Sequence, residues 1–190
     1  RFLEHHGMLR VTGSPQWYTV AGGSRTYVER LAKMLPDVRR SSPVTDVTRR
    51  PEGVQIRDAS GEVTRFDRVV IATHADQALG LLTDPSDAEV QTLKAFGYSR
   101  NEPTVVTYWM NRLQGHHSPQ EYMVTLNARE RIDPGEVLAV MDYEHPIFTP
   151  ESVAAQSRLV TLATDRTVYA GAYHGWGFHE DGCRSGVEAA

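Results

Sequence analysis

The 190-residue chain carries 20 Lys and Arg against 24 Asp and Glu, a formal net charge of −4, which gives no electrostatic reason to expect nucleic acid or an anionic membrane as partner. Its one cysteine, Cys183, excludes an intrachain disulfide and points to a reducing, cytoplasmic compartment. No apolar run approaches the roughly 20 residues of a transmembrane segment, and 40% hydrophobic content supplies the core of one domain or of the larger part of a two-domain enzyme.

The N-terminal phrase holds a His5-His6 pair, a Gly13-Ser14-Pro15 turn signal and a strand-like Gln16–Val20 with Trp17. Gly22-Gly23 leads into an amphipathic helix with Tyr27, Val28, Leu31, Met34 and Leu35 at helical spacing, Ser24 as N-cap and Pro36 as stop. Residues 43–66 alternate as an antiparallel meander with a Ser60-Gly61 turn. Arg68–Thr73 is a continuous β-branched run, which predicts a strand covered on both faces and parallel to a neighbour. Helices follow from His74 and, after Pro85-Ser86-Asp87, from Ala88 to about Phe96.

Beyond residue 97 the sequence turns strand-rich. Tyr98–Pro103, Thr104–Asn111, Glu121–Asn127 and Val137–Tyr143 are strand candidates, the last ended by His145-Pro146. A helix is expected over Ser152–Leu162, then a strand over Thr167–Ala170. The closing stretch is a loop with Gly171, Gly175 and Gly177 and an Ala-rich helix opening on His179-Glu180-Asp181. Strand, glycine-rich turn and helix form the geometry in which backbone N–H groups approach a phosphate or a cofactor ring.

Other chemistries find less support. His5-His6 and His116-His117 are adjacent pairs whose side chains diverge on an extended chain; His174, His179, Glu180 and Asp181 come nearer to a ligand set, but no HExxH and no cysteine set is present, and no metal site is assigned. Gly22-Gly23-Ser24-Arg25-Thr26 lacks the final glycine of a nucleophile elbow. Cys183 reads as a small buried helix residue, and Glu180 and Asp181 as first-turn acids complementing the helix dipole. No residue stands out as a general base, so the catalytic set is left open.

Taken in order, Trp17–Ser24, Pro43–Val47, Phe66–His74, Tyr169–Tyr173 and Gly177–Gly182 resemble FAD-dependent oxidoreductases of the flavin-containing amine oxidase superfamily. More narrowly, Thr107–Gln114, Val124–Asn127 and His145–Phe148 are similar to phrases of the bacterial NAD/FAD-binding proteins associated with cyclopropane-fatty-acid synthase. The resemblance covers nearly the whole chain. It implies a mixed α/β fold: part of a Rossmann-like, NAD(P)-binding-type FAD domain (1–97 and 151–190) with its meander, and a substrate-side mixed sheet (98–150).

The resemblance also implies site roles. Val44 would offer backbone hydrogen bonds to the adenine of FAD, and Thr73 would sit at the strand end near the cofactor. Gly171, Ala172, Tyr173, Gly177, Phe178, His179, Glu180 and Asp181 would lie along the ribityl chain and pyrophosphate. The chain departs from the family pattern in three ways. The GxGxxG unit is absent, Ala172 stands where an acid is common, and a segment is missing near Glu102-Pro103. The chain therefore reads as a fragment whose N-terminal FAD-binding half lies elsewhere in a longer protein. The expected function is a flavin-dependent oxidoreductase taking hydride from a small-molecule, amine or lipid substrate. An FAD-dependent isomerase or desaturase, or a cofactor-less binding domain, are the alternatives.

Overall fold

A computed structural model describes Tyr18, residues 20–99 and residues 105–190. The expected Gln16–Val20 strand, Gly13, His5-His6 and the Glu102-Pro103 join lie wholly or largely outside those residues. Helix α1 (Arg25–Ala32) begins after Ser24, whose side chain makes no capping bond. Its apolar residues Tyr27, Val28 and Leu31 are exposed.

The meander forms as its alternation predicts. β1 (Val44–Arg50), β2 (Gly53–Asp58) and β3 (Val63–Phe66) pair antiparallel in that order. A register shift between Val44 and Asp46 bulges β1 at its start. Val47 pairs with Ile56 and Arg49 with Val54, so these four share one face, and Val47 and Val54 are buried there. The face that carries the core thus also turns an arginine inward. The β2–β3 turn is held by Asp58, whose Oδ1 accepts from the Ser60 and Glu62 amides and the Ser60 hydroxyl.

β4 (Val69–Ile71) is followed by α2 (Ala75–Leu81), which buries Ala75 and Ala78. Helix α3 (Asp87–Leu93) starts with a complete capping box: Ser86 accepts from the Glu89 amide, and the Glu89 carboxylate accepts from the Ser86 amide. Next come β5 (Gly97–Ser99), β6 (Val106–Trp109), the short α4 (Met110–Gln114) and β7 (Met123–Leu126). Asn111 closes the β6–β7 pair by bonding both Gln120 O and the Tyr122 amide.

Val137–Tyr143 is not a strand. Its apolar residues Leu138, Val140, Met141 and Tyr143 are exposed, and among the described residues no sheet edge runs beside it. The ladder begins where the sequence suggested it should end, at β8 (His145–Ile147), which pairs antiparallel with β5. Helix α5 (Pro150–Leu159) starts two residues before the expected Ser152, because Thr149 caps it and Ser152 is the reciprocal partner inside the first turn. β9 (Thr167–Tyr169) and α6 (His179–Ala189) complete the chain.

β9 pairs parallel with β4, Val69 to Thr167 through Ile71 to Tyr169. Ile71 is buried, but Val70, on the opposite face, is 48% exposed because it lines an open groove, which corrects the expectation of a strand covered on both faces. Val47, Ile71, Leu82, Leu93, Phe96, Leu159 and Tyr169 belong to the core between meander, parallel pair and helices. Two compact units result, residues 1–40 with 101–140, and residues 41–100 with 141–190. Among the described residues no helix is long and apolar enough to cross a membrane.

Candidate functional site

The second unit, residues 41–100 and 141–190, contains the parallel pair, and the carboxyl ends of such strands are where ligands bind in open α/β sheets. Two segments leave that end. From β4 the chain passes Ala72 and Thr73 to His74, whose ring stacks on Tyr98 at 4.2 Å between centroids. From β9 it enters the Gly171–Gly177 loop, tied back to β4 by the Ala170 amide on Ile71 O.

That loop is fastened at every turn. Buried Ser185 of α6 accepts from the Gly171 amide at 2.9 Å. The Tyr173 ring lies over Gly171 so closely that a Cβ there would come within 2.4 Å of it, which is why the position is glycine. Gln156 donates its amide to the carbonyls of Tyr173 and Gly175. Asp181 Oδ2 accepts from the Trp176 and Phe178 amides, and Oδ1 from Arg184. A Cβ on Gly175 would occupy the position of that carboxylate. Asp181 is thus the staple of its own loop, and its charge already complements the helix start.

Among the described residues, four buried side-chain polar atoms have no hydrogen-bond partner: His74 Nδ1, Thr167 Oγ1, Tyr173 OH and His174 Nε2. Three of the four lie on the two segments leaving the carboxyl end of the parallel pair. Buried polar atoms are nearly always bonded, so Tyr173 OH and His174 Nε2 are positions that a water or a bound group would complete, while His74 Nδ1 faces Glu144 Oε2 at 3.7 Å. Tyr173 is 3% exposed. Burial pushes its hydroxyl above the ordinary phenol range, and nearby Tyr98 adds to the effect. Burial pulls His174 below the usual imidazole value, opposed by Glu188 and reinforced by Arg184. Both groups therefore stay neutral, suited to the polar edge of a neutral ring or to hydroxyls.

Along β4 runs a groove of about 570 Å³, lined by Val44, Val47, Val70, Ala72, Thr73 and Gln77 among others. It brings together Val44 and Thr73, the two residues expected from sequence to meet one cofactor. The walls are mostly aliphatic, as a flat heterocycle prefers.

Of the other sequence-predicted residues, Gly171, Ala172 and Tyr173 form one tight turn beside Ser185. Gly177 has a left-handed φ of +86° and leads through Phe178 into α6, whose first turn holds His179, Glu180 and Asp181. His179 and Glu180 are exposed. Trp176 rests 5.6 Å from Phe148 between ring centroids. Cys183 is exposed, which corrects the buried reading; Ser185 holds the buried helix position. Trp109 is exposed too, its indole N–H donated to Glu121.

Sequence reasoning did not find the polar cluster beneath this site. Glu89, 2% exposed, takes a bidentate contact from Arg49 (2.5 and 3.0 Å) and a hydrogen bond from the Tyr169 hydroxyl at 2.6 Å. Burial alone would raise the Glu89 carboxyl, but Arg49, Tyr169 and the Ser86 amide outweigh it and hold it at about 2. The same contact with Glu89 drives the Arg49 guanidinium up, while burial and Glu89 raise Tyr169. The signal was present: Arg49 falls on the core-facing register of β1, and a core-facing arginine requires a carboxylate. Among the described residues no group of three His, Cys, Asp or Glu side chains converges as a metal site would require.

The model of the flavin containing amine oxidoreductase family matches residues 1–114. The chain belongs to that family. No curated protein sequence matches it. Among the solved structures that share its fold are the following two. One is the CLA-producing fatty acid isomerase from P. acnes, with TM-score 0.57, 14% identity and 85% of this chain covered. The other, from Exiguobacterium sp. 255-15, has the provisional name protoporphyrinogen oxidase, with TM-score 0.59, 13% identity and 96% of this chain covered. The chain spans about half the length of each, 50% and 54%. The mixed α/β class expected from sequence, with several small sheets, is the fold they share.

Proposed function

We propose that this chain is the carboxyl-terminal half of an FAD cradle in an amine-oxidase-like flavin-dependent oxidoreductase. The observation that carries the reading is the set of unpartnered polar atoms of His74, Tyr173 and His174 at the carboxyl end of the parallel pair. The donor set suits a flavin: Tyr173 and His174 are neutral, buried hydrogen-bonding groups, and the aliphatic groove with Val44 and Thr73 offers apolar walls. A flavin, when bound, supplies the two-electron acceptor for a substrate hydride.

The chain's own residues bind and orient. Val44 and Thr73 border the groove and take the adenine end. Gly171, Ala172 and Tyr173 lie along the ribityl chain, and Gly177, Phe178, His179 and Glu180 flank it. Asp181 acts indirectly, by fixing the Trp176 and Phe178 amides. Residues 1–97 with 151–190 serve the cofactor, and 98–150 face the substrate. The diphosphate-gripping GxGxxG unit belongs to an N-terminal half in the longer protein, which resides in the cytoplasm. The similarity of Thr107–Gln114, Val124–Asn127 and His145–Phe148 to phrases of the subfamily beside cyclopropane-fatty-acid synthase, and the resemblance in fold to a fatty acid isomerase, favour a lipid acyl chain as substrate. That neighbour also supports a second reading, an FAD-dependent isomerase or desaturase.

The test is an absorbance spectrum of the full-length protein, with bound oxidised flavin expected and bleaching on photoreduction. A full-length protein without flavin would leave the cofactor-less binding domain as the reading. The 190-residue chain alone is expected to retain little FAD; stoichiometric flavin co-purifying with it would overturn the assignment of the diphosphate grip to another segment.

A further inference from the structure

Helix α1 (Arg25–Ala32) has no buried residue. A further turn extends it: the Met34 amide donates to Leu31 O at 2.9 Å and the Leu35 amide to Ala32 O at 3.4 Å. At helical spacing Tyr27, Val28, Leu31, Met34 and Leu35 fall within about 120° of one side. All five are exposed, Leu31 at 57% and Met34 at 74%. Isolated helices of this length are marginal in water, and an amphipathic helix draws most of its stability from the surface its apolar stripe packs on. The stripe of α1 therefore calls for a covering surface, and the charges around it say which kind.

Residues 24–40 hold Arg25, Arg30, Lys33, Arg39 and Arg40 against Glu29 and Asp37, a net charge of +3 inside a chain of −4. The whole-chain balance, which gave no reason to expect a membrane, hides this segment. Arg25 and Arg30 stand on either side of the apolar stripe, with Glu29 and Lys33 opposite it. Arginine stems lie along apolar surface while their guanidinium groups reach polar surroundings. An apolar stripe bordered by basic side chains is the pattern of a helix lying in the plane of a bilayer interface. A second copy of this helix fits less well, because a two-fold contact would set two segments of like charge against each other.

We propose that α1 seats this protein on an anionic lipid surface, with its stripe in the acyl boundary and its arginines at the lipid phosphates. Leu31 lies at the centre of the buried stripe, and Glu29 stays on the water side. The inference stands apart from the flavin reading above and needs no cofactor.

The test is flotation of the full-length protein with vesicles of phosphatidylglycerol mixed with phosphatidylcholine, and with vesicles of phosphatidylcholine alone. Partition is expected to be roughly hundredfold stronger on the anionic vesicles, the effect of three net positive charges near such a surface, and to fall steeply with added salt. Leu31→Glu should abolish it, and Arg30→Glu should weaken it more than tenfold. If Leu31→Glu does not fold, Met34→Ser, at a position open to solvent, provides the same loss of stripe. Equal partition on the two kinds of vesicle, partition unchanged in Leu31→Glu and Met34→Ser, or a full-length protein that floats with neither overturns the proposal. A dimer that Leu31→Glu dissociates, without vesicle binding, overturns it as well and assigns the stripe to a second copy. Flavin content does not enter the readout, so failure here and failure of the cofactor reading are told apart.

Discussion

Replacing Glu89 by glutamine removes one negative charge and leaves the shape. In the fold this carboxyl titrates at about 2, against 4.5 for an ordinary glutamate. That difference is worth about 3 kcal/mol of stability. Because the folded group is the stronger acid, the contribution is complete above pH 4.5 and disappears as pH falls through about 2. Glutamine can still accept one bond from Tyr169 or Arg49, and Arg49 retains Asp84. The cost at pH 7 should therefore sit at the lower end of the ~3–5 kcal/mol for breaking a buried pair. The measurement is urea unfolding of wild type and Glu89→Gln across pH 2 to 7. A gap of about 3 kcal/mol at pH 7 should shrink toward zero near pH 2, with a melting difference of roughly 6–12 °C at neutral pH. A gap under 1 kcal/mol, or one that does not change with pH, would refute the assignment of Glu89 as the charged centre of this cluster.

Further substitutions probe the loop and the meander. Gly53→Ala puts a Cβ 2.5 Å from the Phe66 carbonyl at a φ of +144°. Since backbone cannot step aside, thermal unfolding should show a loss of at least ~2 kcal/mol. Gly175→Ala would evict the Asp181 carboxylate and free the Trp176 amide, so faster amide exchange at Trp176 and Phe178 is expected; unchanged exchange would mean the staple is not Asp181. Ser185→Ala strands the Gly171 amide and should cost ~1–3 kcal/mol by denaturant titration. Cys183 is exposed, so a thiol reagent should modify it in native protein at a rate little changed by denaturant.

Local pattern carried much of the fold. The meander was legible because alternation and a Ser60-Gly61 turn coincide, and α3 because Pro85-Ser86-Asp87 marks its start. Val137–Tyr143 misled because it has the composition of a strand, while a strand also needs a neighbouring edge. Cys183 misled because its type suggests burial, whereas the face of α6 turned inward is that of Ser185. At the site, the glycine loop was visible in sequence and the supports beneath it were not. Glu89 meets partners 40 and 80 residues away. His74 meets Tyr98 and Glu144 only once β5 and β8 pair. Such contacts follow from three-dimensional register and leave no periodic trace.

The parallel pair has a kinetic consequence. Val69 and Thr167 are 98 residues apart in the chain, yet their ladder is only three residues long on each side. Closing a loop of that size costs about 4 kcal/mol of chain entropy beyond the fixed initial term, more than so short a ladder returns. The meander, closed by short turns, should form early. The β4–β9 contact should then be among the last to form, trapped by Arg166 donating to the carbonyls of Asp67 and Pro51. The ligand end of the sheet would accordingly be assembled late in folding, and substitutions at Arg166 should speed unfolding while leaving the folding rate nearly unchanged.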